Sequence, residues 1–158
     1  MTTQTTQSKQ YDIRNARTAD AGAILALLEA SDLPTVGVVD ALSGFLVAES
    51  NGTIVAVVGV EPCSSEFALL RSTAVHPAWR NHGLGRKLVE RAIASARAER
   101  IEALYLLTTT AEDYFPSFGF VRVARESVPE SVRATDEFRS ACPASAVAMA
   151  LSLSQAAT

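Results

Sequence analysis

Three cations and two glycines fall within eight positions of this chain: Arg80, Gly83, Gly85, Arg86 and Lys87, in the stretch HPAWRNHGLGRKL from His76 to Leu88. An apolar run, LLRSTAV, precedes the stretch, and Leu84, Leu88, Val89, Ala92, Ile93 and Ala96 recur at helical spacing through and beyond it. The glycines therefore fall at the N-terminus of a helix, where backbone N–H groups have no intrahelical acceptor. Glycine permits close approach and unusual torsions, the helix end carries partial positive charge, and the three cations add full charges beside it. A pyrophosphate answers all of these features. A glycine-containing turn capped by water on a basic surface would show the same residues, so the neighbouring sequence has to decide. The dinucleotide fingerprint is excluded because its glycine spacing is absent, and the nucleoside triphosphate loop because no Gly-Lys-Ser/Thr follows.

The elements around this turn alternate between strand and helix. YDIRNA from Tyr11 to Ala16 reads as a strand, and Thr18 or Asp20 can cap a helix with the apolar face Ile24, Leu25, Leu27 and Leu28, ended by Pro34. Residues 36–43 fit a short helix or a loop. FLVAE and TIVAVVGV flank Asn51-Gly52, a strong two-residue hairpin signal. EFALLRSTAV supplies a fourth strand, residues 84–99 a helix, ALYLLTT a fifth strand and residues 111–118 a short helix before Gly119. FVRVARE and SAVAMALSL read as two closing strands around a helix near residues 129–140 that Pro129 could start. This alternation is α/β.

Composition narrows the function class. The 158 residues are 48% apolar, enough for one domain over residues 11–158, with residues 1–10 a loose polar tail. A formal charge of −3 argues against nucleic acid as the main partner. No apolar run is long enough to span a bilayer, and the polar start MTTQTTQSKQ has no signal-peptide segment, so a soluble cytoplasmic protein is expected. Cys63 and Cys142 lie far apart without a metal-ligand spacing and read as unpaired thiols; no metal is expected.

VHPAWRNHGLGRKLVERAI resembles the acetyl-CoA signature of the GNAT N-acetyltransferases, V-x-P-x-x-R-x-x-G-x-G followed by an apolar helix, and FPSFGF resembles their later segment ending in Gly-Phe. The likeness runs from Ile13 to Leu153. It implies an α/β (α+β) fold: a mixed, mostly antiparallel sheet of seven strands flanked by helices, splayed between the fourth and fifth strands. It also implies that acetyl-CoA is the cosubstrate. The pantetheine arm would bond the backbone of Thr73, Ala74 and Val75, the amides of Arg80, Asn81, His82, Gly83, Leu84, Gly85 and Arg86 would take the pyrophosphate, and Phe115 would lie against the coenzyme. LYLLTTTAEDYF with VRATDEFRSACPASAVAM is similar to the arsenic-resistance N-acetyltransferases of arsenic operons, and the LTT strand to the acetyltransferase domain of N-acetylglutamate synthases. Both imply a small amino-acid-like amine as the acceptor, a glutamate analogue or an organoarsenical. A homodimer is compatible with this reading.

Acetyl transfer to an amine needs a base, a polarising amide and, in some enzymes, an acid for the leaving thiolate. Many relatives place a tyrosine acid four residues before the glycine of Gly-Phe, where this chain has Phe115; Tyr114 is the neighbouring candidate, offset by about 100° on a helix. Where several relatives carry a glutamate base this chain has Leu69, which leaves Glu61 or Glu66, acting directly or through a water. His76 and His82 lie in the phosphate turn and are better suited to structure or coenzyme contact. Strict alternation along the fourth strand puts Arg71 on one face with Leu69 and Thr73, where a cation demands a partner: a substrate carboxylate or an ion pair within the protein. Arg133, Thr108, Thr109 and Ser145 are further candidates for binding an acidic substrate. The alternatives to an enzyme are a non-catalytic acyl-CoA-binding regulatory module and a metalloid-binding protein that uses the two thiols.

Overall fold

The structure, a computed structural model, describes residues 10–109, 111–141 and 145–153. Strand β1 (Asp12–Asn15) leads into helix α1 (Ala21–Ala30), after which β2 (Phe45–Ser50) and β3 (Thr53–Pro62) form a hairpin and β4 (Phe67–Val75) returns beside them. Helix α2 (Leu84–Ala98), β5 (Ala103–Thr108), β6 (Val121–Val123), the short helix α3 (Glu130–Arg133) and β7 (Val147–Ser152) complete the chain. The seven strands form one sheet in the order β1-β2-β3-β4-β5-β7-β6, with β4 and β5 parallel and every other pair antiparallel. This is the expected seven-stranded mixed sheet, reached by the expected elements. Apart from Gln10, the tail expected at residues 1–10 lies outside the described residues.

Asn51 and Gly52 both take positive φ, +51° and +81°, the pair a type I′ turn requires, so the hairpin signal gave the right register. Ile24, Leu27 and Leu28 bury α1 against Phe45, Val47 and Val57 on one face of the sheet. Leu84, Leu88, Val89, Ala92, Ile93 and Ala96 bury α2 against Ala48, Val58, Ala68, Leu70 and Leu104 on the other. Each large aliphatic side chain so buried contributes about 1.5–3 kcal/mol, which holds the sheet between two helical layers and fixes where α2 begins. Of the helix and loop alternatives for residues 36–43, the chain takes the loop: turns over residues 36–41, then a single 3-10 turn at Leu42–Gly44. One expectation needs correction. The helix expected near residues 129–140 is broken into α3 and a π-helical turn, Glu137–Ala141.

Two irregularities shape the middle of the sheet. Strand β5 pairs with β4 only where Phe67, Ala68 and Leu69 face Ala103, Leu104 and Tyr105; beyond that point the strands diverge. The second is a bulge in β4. Val57 pairs with Ala74 but Gly59 with Arg71, so Ser72 and Thr73 together oppose Val58. Ser72 takes the left-handed conformation, φ +60°, to accommodate the extra residue. Facing changes there: Leu69, Arg71 and Ala74 lie on the face shared with Val57, Gly59 and Glu61, while Leu70 and Val75 pack into the α2 core. The strict alternation that put Thr73 on the face of Arg71 is therefore overturned, because the bulge inserts one residue between them.

Candidate active site

The diverging strands open a cavity of about 520 Å³. Its walls are Leu70 to Thr73 of β4, Leu106 to Thr109 at the end of β5, Ala111, Tyr114 and Phe115 from the following turn, Asp32 to Pro34 after α1, and Glu137. Six of the residues singled out from sequence, Arg71, Thr73, Thr108, Thr109, Tyr114 and Phe115, thus meet in one place. Thr108 turns its hydroxyl to its own loop, accepting the Ala111 N–H at 2.9 Å.

At one end of the cleft β4 runs out through Ala74 and Val75 into the glycine turn. His76 Nδ1 accepts the Ala78 N–H at 3.0 Å and the Arg80 Nε donates to the Val75 carbonyl at 3.0 Å, so His76 and Arg80 both shape the turn. Asn81 and Gly83 have φ of +67° and +78°. Gly83 caps α2 with no side-chain hydrogen bond, and nothing stands within 4 Å of where a Cβ would be. The first-turn N–H groups of α2 lack intrahelical acceptors, and Arg80, Asn81, His82, Arg86 and Lys87 are exposed around them. These residues fit the pyrophosphate of a coenzyme A. Gly85 lies between the turn and the cavity wall: a Cβ there would come within 3.4 Å of Val75 Cγ2 and 3.8 Å of the Tyr114 hydroxyl. Arg86 stacks 4.4 Å from the Phe118 ring centroid and donates to Ser117 Oγ at 2.7 Å. Burial raises the Tyr114 phenol above its ordinary value, against the pull of Arg86. Tyr114 is accordingly a neutral hydroxyl facing the helix terminus.

The other end is built around Arg71, whose side chain is fully buried. Its Nη1 donates to Glu61 Oε1 at 3.0 Å, its Nη2 to the Val36 carbonyl at 2.7 Å and its Nε to Ser72 Oγ at 3.0 Å, and Nε lies 3.4 Å from Glu137 Oε1. The partner that the buried cation demands is thus supplied within the chain, twice over. Glu61 lies opposite Leu69 in register and reaches Arg71 diagonally across the strand pair, but it is not among the residues lining the cavity. Glu137 is, with only 4% of its surface exposed. Burial pushes its carboxyl up to about 7, with Arg71 pulling it down and Glu61 pushing it further up. Sequence reasoning passed over Glu137, although Arg71's need for a counter-charge was the signal that could have led to it. Asp136 beside it also faces this cluster, since a Cβ on Gly37 would be 3.4 Å from both Arg71 Nη1 and Asp136 Oδ2.

Two candidates lie elsewhere. Arg133 donates to the Val128 carbonyl at 2.9 Å and approaches Glu130 at 3.6 Å, which ties it to its own short helix. Ser145 borders a separate groove with residues 122–126. Neither is among the residues that line the cleft. Cys63 is half-buried, and burial, then Glu61, pushes its thiol up to about 12, so it carries no thiolate at neutral pH. Cys142 lies outside the described residues. Among the described residues no three metal-ligating side chains cluster, and no helix is long and apolar enough to cross a membrane.

A cleft between diverging parallel strands, with a glycine turn and helix terminus at its mouth, is the arrangement that the sequence motif implied. The acetyltransferase (GNAT) domain model matches residues 41–122, more than half of the chain. The chain belongs to the GNAT acetyltransferase family. It is an acetyl-CoA-dependent N-acetyltransferase of that type. An amino-acid acetyltransferase of Mycobacterium tuberculosis is 29% identical over 79% of this chain and 75% of its own length. An uncharacterised N-acetyltransferase of Chlorobaculum tepidum is 28% identical over 76% and 81% respectively. Against an amino-acid acetyltransferase of Edwardsiella ictaluri this GNAT chain spans only 32% of the relative. Among solved structures, a Mycobacterium tuberculosis protein in complex with CoA superposes with a TM-score of 0.76 at 26% identity, covering 89% of this chain and 98% of that one. N-acetylglutamate synthase from Neisseria gonorrhoeae, complexed with coenzyme A and N-acetyl-glutamate, gives 0.79 at 21% identity over 98% of this chain and 38% of the synthase, a likeness of fold.

Proposed function

We propose that this GNAT acetyltransferase moves the acetyl group of acetyl-CoA to the free amine of a small amino-acid-like substrate, a glutamate analogue or an organoarsenical amino acid, in a detoxifying reaction. The observation that carries the reading is the cleft itself: a cavity of about 520 Å³ with Arg71 and Tyr114 in its wall, beside the first turn of α2, where Gly85 lies against the Tyr114 hydroxyl. The backbone of Thr73, Ala74 and Val75 then bonds the pantetheine arm, since that side of β4 is left without a paired strand. The N–H groups from Arg80 to Arg86 take the pyrophosphate, and Phe115 packs along the arm. Arg71 receives the substrate carboxylate, sharing its guanidinium with Glu61, while Thr108 and Thr109 offer hydroxyls nearby. Tyr114, a neutral phenol beside the turn, can return a proton to the departing sulfur. The amino-acid acetyltransferases among the relatives support an amino-acid acceptor. The likeness of the LYLLTTTAEDYF and VRATDEFRSACPASAVAM segments to arsenic-operon enzymes supports the arsenic-bearing one.

The test is thiol release from acetyl-CoA across a panel of amino acids, glutamate analogues, polyamines and arsenic-bearing amines. Turnover confined to amines that carry a carboxylate supports the reading. Turnover with polyamines alone overturns the acceptor class, and silence across the panel favours a binding module.

A further inference from the structure

We infer that Glu137 is the proton acceptor of acetyl transfer: its carboxylate, on the cavity wall beside Arg71, takes the proton from the substrate's ammonium group. The inference rests on the proposed amine acceptor and names the group that makes that amine reactive. Among the described residues the cavity wall offers four ionisable side chains, Asp32, Arg71, Tyr114 and Glu137. Arg71 is a cation paired on two sides, and Tyr114 is held as the neutral phenol, so neither accepts a proton. Asp32 is exposed to water at the rim. Glu61, the base suggested by the sequence, is spent on Arg71 and does not reach the cavity wall. Among the carboxylates of the described residues, Glu137 alone is both buried and on the wall.

The charges around it suit the task. From β4 Arg71 faces Glu137, from β3 Glu61, from its own turn Asp136, and across the cavity Tyr114 and Asp32. Arg71 cannot neutralise Glu61 and Glu137 together, so the pocket has room for one further positive charge, which an ammonium group supplies. The carboxyl, near 7, is matched to a proton that must leave at neutral pH. A substrate carboxylate that draws on Arg71 weakens the pull of Arg71 on Glu137 and makes Glu137 more basic as the ammonium arrives. The step balances. An ammonium N–H bond breaks and its proton moves to Glu137; the freed lone pair attacks the acetyl carbonyl, the N–C bond forms and the C–S bond breaks. The sulfur leaves with the second amine proton as the free thiol, and Glu137 returns its proton to water.

The experiment measures thiol release from about pH 5 to about pH 9 for the parent, Glu137→Gln and Glu137→Asp, with whichever panel amine turns over fastest. In the parent, kcat/KM should rise with a midpoint near 7. Glu137→Gln should lower kcat by about 10²–10⁴-fold, leave the KM for acetyl-CoA at the parent value and abolish that rise, and Glu137→Asp should restore part of the rate. Glu137→Gln that keeps kcat within about threefold of the parent, with the rise intact, overturns the inference and leaves the acceptor reading standing. Should no panel amine turn over, the acceptor reading fails by itself. Carbon NMR of the glutamate-labelled parent, with Glu137 assigned by its loss in Glu137→Gln, then decides whether the carboxyl titrates near 7 or, overturning the inference, near the ordinary 4.5.

Discussion

The two ends of the cleft are made in opposite ways. The end proposed for the coenzyme is exposed, contiguous and built from backbone: residues 76–87 form a turn with positive φ at Asn81 and Gly83, and the His76 and Arg80 side chains hold its shape. The end proposed for the acceptor is buried, scattered and built from side chains, with Arg71 drawing on Val36, Glu61, Ser72 and Glu137 from four parts of the chain. A backbone site tolerates varied side chains but not a changed torsion. A side-chain site tolerates varied torsions nearby but not a changed charge.

The sharpest way to break that contrast is Arg71→Gln. It leaves Glu61 and Glu137 without their shared cation, and losing one partner of a buried pair costs about 3–5 kcal/mol, read as a fall in the urea midpoint. In protein that still folds, KM for an amino acid should rise about tenfold to 150-fold and much less for its amide, with coenzyme A affinity unchanged. Equal losses on acid and amide would remove the carboxylate contact. Next in size, Gly83→Val tests the backbone end. A β-branched residue at φ +78° costs about 1–3 kcal/mol, and since nothing would touch its Cβ the cost is torsional. Calorimetry should show coenzyme A binding weakened about tenfold or more, with the unfolding midpoint lowered by about 2–4 °C per kcal/mol of that cost; parent-like binding would show that the turn does not hold the pyrophosphate.

A smaller effect concerns pH and stability. The Glu137 carboxyl lies higher in the folded chain, near 7, than its ordinary 4.5, so between those values the folded state binds more protons than the unfolded one. Stability should therefore fall as pH rises from about 4.5 to about 7, and Glu137→Gln should flatten that slope in urea titrations at several pH values. A slope that Glu137→Gln leaves unchanged would assign it to other groups. Smallest of all is Cys63→Ser. With the thiol up to about 12, turnover per folded molecule should match the parent, and a loss would point to thiol chemistry.

What the sequence disclosed follows the same division. The glycine turn, the α2 stripe and the Asn51-Gly52 hairpin are local patterns, and each appears in the structure where its spacing put it. Arg71 was legible as a cation in need of a partner; which partner was not, because Glu137 lies 66 residues away and joins it only through the break after α3. Arg133 was expected on a continuous helix over residues 129–140; it stands instead in the short α3, away from the cleft lining. The bulge at Ser72 left no mark, since it arises from cross-strand pairing with Val58 and serine is no signal for it.

That extra residue makes β4 a crossover. Odd-numbered positions look one way up to Arg71 and even-numbered ones from Ala74 onward, so a single strand carries both proposed ends of the site with its phase reversed between them. Deleting Ser72 would restore one phase along the whole strand and swing the segment leading to the glycine turn half a revolution relative to Arg71. The joint between the two ends of the enzyme is thus one amino acid long.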